Sequence, residues 1–160
     1  MKTIFISFCF VAFLFASRAQ KCPEFFPDTI MAPGIGKTLS GEYLQANLKN
    51  GSMVRFYKTI TGKLFLKLIV TENLYFDKTD KLEIQSGSKS FYAKDVTQLE
   101  MGKATGYYVI EIFKNYVGTL KEDGITGIVF GKVETSFTRQ DASQIRQIAK
   151  CFYESIDIKK

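Results

Sequence analysis

The residue types that could do chemistry are few, and their spacing narrows them further. Gly34-Ile35-Gly36-Lys37-Thr38 carries the end of a phosphate-binding loop, in which backbone amides and a lysine cradle a nucleotide. The full pattern needs glycine where this chain has Met31, and Pro27 and Pro33 make the preceding segment a poor strand. Leu74-Tyr75-Phe76-Asp77 imitates the acidic strand end that holds magnesium, but a match this short arises easily by chance. The motif reads as a decoy. The sequence has no histidine, so Ser-His-Asp and Cys-His nucleophiles, HExxH zinc sites and His-ligated haem are excluded.

Paired carboxylates remain as a route to hydrolysis. Glu111 is the acid of interest, because Ile110 and Ile112 flank it and a half-buried carboxylate would have a raised pKa. The competing expectation is that an acid between two inward isoleucines faces water. Glu72, Glu83, Glu100 and Glu134 are equal candidates for a second member, so no pair stands out. No catalytic residue, metal site or cofactor is assigned.

Aromatic residues carry the strongest binding signal. Tyr57, Phe65, Tyr92 and Tyr108 sit on predicted strands and are the candidates for lining a groove that holds an apolar ligand. Their alternative role is core packing. The cations are scattered and interrupted by acids, as at Lys121-Glu122-Asp123, so no nucleic-acid partner is expected. A folded patch gathering Lys58, Lys67 and Lys89 is the remaining polyanion surface.

The first nineteen residues read as a secretory signal. Met1-Lys2-Thr3 is a short basic start, Ile4–Ala16 is apolar with five Phe, and Ser17-Arg18-Ala19 is a cleavage site. The expected location is secreted or periplasmic, without a transmembrane segment. Cleavage removes Lys2 and Arg18 and lowers the net charge from +6 to +4. Of the three cysteines Cys9 leaves with the signal, and Cys22 with Cys151 is expected to form one structural disulfide. Asn50-Gly51-Ser52 is formally a glycosylation sequon, although hairpin geometry explains the same residues.

The elements that must position these groups are mostly strands. Residues 20–42, with all three prolines, read as an irregular N-terminal arm over a single globular domain, 43–160. Asn50-Gly51 predicts a type I′ hairpin in which Leu48 faces Met53 and Leu44 faces Tyr57. Leu64–Val70 is apolar on both faces apart from Lys67, which predicts a central strand covered on both sides. Lys81–Gln85 alternates, with Leu82 and Ile84 inward, and Asn115–Glu122 reads as one helical turn. Gly131 is expected at a bulge or bend.

The C-terminus predicts an amphipathic helix over about 139–156. Thr138 with Asp141 three residues later resembles a capping box, with Asp a weaker partner than Glu, and Ala142, Ile145, Ile148, Ala149, Phe152 and Ile156 make one apolar stripe. The fold class is α+β: a mainly antiparallel sheet of seven to eight strands, flat or curved, with that helix packed against it. The architecture is similar to lipocalin-like carriers, but their Gly-x-Trp is missing because the chain has no Trp, so no residue is carried over. The expected function is monomeric, non-catalytic binding of an apolar small molecule. The alternative is a protein-interaction domain, such as an inhibitor or a surface-assembly component, pairing through a strand edge.

Overall fold

The computed structural model describes residues 21–33, 36–70, 81–93, 96–100, 106–131 and 133–157. The signal segment, Gly34-Ile35 and Leu74–Asp77 lie outside the described residues. The fold is α+β, with β1 Phe26–Met31, β2 Thr38–Asn47, β3 Met53–Thr59, β4 Leu64–Val70, β5 Leu82–Ser86, β6 Lys89–Tyr92, β7 Val96–Glu100, β8 Gly106–Ile112, α1 Lys114–Asp123, β9 Gly127–Phe130, β10 Val133–Ser136 and α2 Arg139–Asp157. The strands form two antiparallel sheets, ordered β1-β2-β3-β4-β8-β7 and β10-β9-β5-β6. That is more strands than the seven to eight expected, because β1 and β7 were not legible.

Strand β4 sits in the middle of the larger sheet, and its two faces explain its composition. Leu66 and Leu68 face the main core with Phe56, Tyr108 and Ile110, while Phe65 faces a second cluster with Tyr57, Val109 and Ile30. The main core continues through Leu82, Ile84, Ile128 and Phe130 of the smaller sheet into Leu120 of α1 and Ile145 and Phe152 of α2. Phe56 and Phe152 lie 5.6 Å apart between ring centres, and Tyr108 and Phe130 5.7 Å. Each fully buried ring or branched aliphatic side chain contributes roughly 1.5–3 kcal/mol by leaving water.

Helix α2 matches its predicted stripe, and its first turn is closed reciprocally. The Thr138 hydroxyl bonds Asp141 Oδ2 at 2.5 Å, and the Asp141 amide donates back to Thr138 Oγ1 at 3.2 Å. Asp141 Oδ1 also accepts the Lys49 amide at 3.1 Å, which ties the β2–β3 turn to the helix. Burial opposes ionisation of Asp141, but these donors outweigh it and hold its pKa below the usual aspartate range. Helix α1 has ten residues, longer than the single turn expected.

The β2–β3 turn corrects the predicted hairpin. Gly51 alone takes a positive φ there (81°), its amide donates to Leu48 C=O at 3.1 Å, and the Leu48 amide donates to Ser52 C=O at 2.8 Å. This is a three-residue loop with glycine in the left-handed position, not a type I′ turn. The register therefore shifts by one: Asn47 faces Met53 and Leu44 faces Phe56. Gly62 builds the same loop between β3 and β4, with the Thr59 amide on Lys63 C=O at 2.9 Å.

The irregular arm is also corrected, since Phe26–Met31 pairs along β2 as an edge strand. The Ala32 amide donates to Lys37 C=O at 2.9 Å, so alternation turns Pro27, Thr29 and Met31 outward. Pro27 thus costs no ladder bond, and the outward Thr29 amide is taken by Asp28 Oδ1 at 2.7 Å. Gly131 lies in a reverse turn between β9 and β10 rather than a bulge, with Phe130 opposite Val133.

Cys22 and Cys151 meet at disulfide distance, with Cα atoms 5.6 Å apart. Such a pair belongs to an oxidising environment rather than the reducing cytosol. Among the described residues, no helix is long and apolar enough to cross a membrane.

Candidate functional site

The four candidate aromatics do not converge. Tyr57 and Phe65 are neighbours on the second face of the larger sheet, both 0 % exposed. Tyr108 is 1 % exposed on the opposite face of that sheet, within the main core, and burial raises its hydroxyl pKa far above the usual tyrosine range. Tyr92 is 59 % exposed on β6 of the smaller sheet. Three are therefore core residues, and the fourth stands apart.

Glu111 shares the second face with Phe65 and pairs with Lys63 at 3.3 Å. A part-exposed pair of this kind contributes about 0–1 kcal/mol and makes an ordinary solvated surface. Of the predicted partners, Glu83 lies on β5 and Glu134 on β10 of the other sheet, Glu100 ends β7 opposite Gly106, and Glu72 lies outside the described residues. No group of three or more metal-ligating side chains occurs among the described residues. Lys37 leads into strand β2, where a nucleotide-binding loop would lead into a helix. Lys58 pairs with Glu42 at 2.9 Å, while Lys67 lies on the opposite face of the sheet and Lys89 on the other sheet, so the expected patch does not gather.

The second face carries one polar network. The Tyr57 hydroxyl donates to Asp28 Oδ2, the Arg55 guanidinium lies 3.8 Å from the same oxygen, and Arg55 stacks 4.6 Å over the Tyr43 ring. Burial works against the Asp28 carboxylate, but the Tyr57 hydroxyl, the Thr29 amide and the nearby Lys67 and Arg55 hold its pKa below the usual range. Burial, then the Asp28 bond and charge, push Tyr57 far above the usual tyrosine range. Burial and Arg55 depress Lys67, and Asp28 offsets this in part. The network satisfies groups that would otherwise be buried unpaired, which is a structural task.

An open cleft of about 410 Å³ lies between α1 and α2, lined by Lys121, Glu122, Ser143, Arg146, Gln147, Lys150, Tyr153 and Glu154. Spacing places these side chains together. Lys114, Gly118 and Lys121 recur at i, i+4 and i+7 on one face of α1, and Ser143, Arg146, Gln147 and Lys150 form a matching row on α2. The helices close at Gly124, where a Cβ would come within 2.1 Å of the Ala142 carbonyl oxygen. A side chain there would force them apart. Gly124 also ends α1 at φ 73°, its amide on Leu120 C=O at 2.8 Å.

The cleft sets three cations, Lys121, Arg146 and Lys150, against two carboxylates, Glu122 and Glu154, around the Tyr153 ring as its floor. Lys121 Nζ stands 4.4 Å from the centre of the Tyr153 ring and Lys114 Nζ 5.4 Å. Lys121 also pairs with Glu122 at 3.5 Å. Arg146 and Lys150 make no ion pair among the described residues and are exposed along the opposite wall. Such a surface can take carboxylates by charge-assisted hydrogen bonds. Arg146, Gln147 and Lys150 lie off the apolar stripe predicted for α2, and nothing in that stripe pointed to the cleft. The signal available was Lys-x₃-Gly-x₂-Lys in α1, a small residue between two cations on one helical face. Comparison with known proteins finds no family model, curated protein or solved structure that matches the chain.

Proposed function

We propose that this chain is a non-catalytic protein-interaction domain working outside the cytoplasm. The observation that carries the reading is the contrast in access: Tyr57, Phe65 and Tyr108 are sealed at 0–1 % exposure, while the α1–α2 cleft is open. An apolar carrier needs its aromatics to line an accessible space, and three of the four candidates line none. Strand-edge pairing is also disfavoured at β1, where Pro27 offers no donor and the Thr29 amide is already taken. The disulfide-distance cysteine pair supports an oxidising location, and a secretory signal at residues 1–19 would deliver the chain there.

The test is native mass spectrometry of the chain isolated from its own host, under gentle and then denaturing conditions. A polypeptide partner released on denaturation is the expected result. A small apolar compound held stoichiometrically, with no polypeptide, would overturn the reading in favour of a carrier.

A further inference from the structure

We infer that the α1–α2 cleft docks an extended acidic segment of the partner protein, an assignment that rests on the interaction reading above. Arg146 and Lys150 lie four residues apart on α2, about 6 Å along the helix axis at a rise of about 1.5 Å per residue. In an extended chain, residues two apart are separated by about 6.6 Å and project to the same side. Acids alternating along a strand-like segment therefore match the spacing of these two cations. The row from Ser143 to Glu154 spans roughly 16 Å, enough for about five extended residues.

The lining discriminates among anions. Arg146 and Lys150 follow one another along α2 one turn apart, which suits a chain better than a single small anion. Glu122 on α1 and Glu154 at the end of the α2 row repel an unbroken polyanion, but a peptide can set a neutral residue opposite each. Nucleic acid would use the floor for base stacking, yet Lys121 already stands over the Tyr153 ring at 4.4 Å.

The probe is a fluorescein-labelled eight-residue peptide alternating Glu and Ser, titrated by anisotropy into the full chain with its disulfide intact. Saturable binding is expected, weakened about tenfold or more by Arg146→Glu with Lys150→Glu, and by less than about twofold by Lys37→Glu with Lys89→Glu. Both pairs change net charge equally at exposed positions, and Arg146→Gln with Lys150→Gln supplies a milder second variant. Equal loss from the two reversals, or no saturable binding, would overturn the cleft assignment. A sulfated oligosaccharide of the same charge binding equally well would overturn the choice of a peptide. If native mass spectrometry finds a polypeptide partner that the Arg146→Glu, Lys150→Glu chain still holds, the cleft fails and the interaction reading stands. If it finds only an apolar compound, the interaction reading itself fails.

Discussion

The two sheets obey the same two-residue alternation but sit in different surroundings. In the four-stranded sheet, Leu82, Ile84, Ile128 and Phe130 face the core, while Glu83, Val129 and Tyr92 share one row of the other, wetter face. In the six-stranded sheet, β3 and β4 are buried on both sides, with Phe56 and Leu66 on one and Tyr57 and Phe65 on the other. Alternation carries information only when the two faces differ. A sheet covered twice gains burial and loses the hydrophobic signal that would fix its register.

The largest test of this contrast is truncation. Phe56→Ala and Phe65→Ala, on opposite faces of the larger sheet, should each cost about 3–5 kcal/mol in urea unfolding. Tyr92→Ala, on the outer face of the smaller sheet, should stay within about 0.5 kcal/mol. A Phe65→Ala cost as small as that of Tyr92→Ala would mean that the second face is not a core. Next in size is the covalent tie: Cys22→Ala with Cys151→Ala should lower stability by about 2–5 kcal/mol, read by the same unfolding midpoint.

A smaller effect is expected at Asp141, which joins the turn of the doubly covered sheet to α2. Asp141→Asn should cost about 1–2 kcal/mol, as for a lost helix cap. Its folded pKa is depressed, so the stability it contributes is present above the unfolded value of about 3.8. That stability should disappear as pH falls through the folded pKa, and the Asn variant should lack this part of the acid dependence.

The smallest signal is spectroscopic. Tyr57 and Tyr108 have raised pKa values, so their contribution is complete below about pH 10 and fades as pH climbs toward the folded values. Absorbance at about 295 nm should show both rings ionising only at strongly alkaline pH, late for tyrosine, and Tyr57→Phe or Tyr108→Phe should each remove one late step. Late ionisation that survives both substitutions would contradict the burial assigned to these two faces.

Helix α2 was readable because one apolar stripe met one polar side and Thr138 with Asp141 marked its start. The double burial of β4 was readable from Leu64–Val70, since only Lys67 breaks an apolar run. Strand β1 was not, because three prolines argue against pairing unless the outward direction of Pro27 is known. The β2–β3 register was not, because Phe56 and Tyr57 satisfy either choice. The cleft was least legible of all. A polar row on α2 looks the same whether it faces water or a second helix, and only the close approach at Gly124 brings α1 opposite it.

The Cys22–Cys151 link has a consequence for survival among proteases. The two cysteines are 129 positions apart, so they enclose every described strand and most of α2 in one covalent ring. A single cut anywhere inside a ring opens it without releasing a fragment. A chain nicked in any surface loop between those cysteines would still migrate as one molecule without reductant and fall into two pieces only with it. The bond thus guards the integrity of the molecule even after its backbone has been broken once.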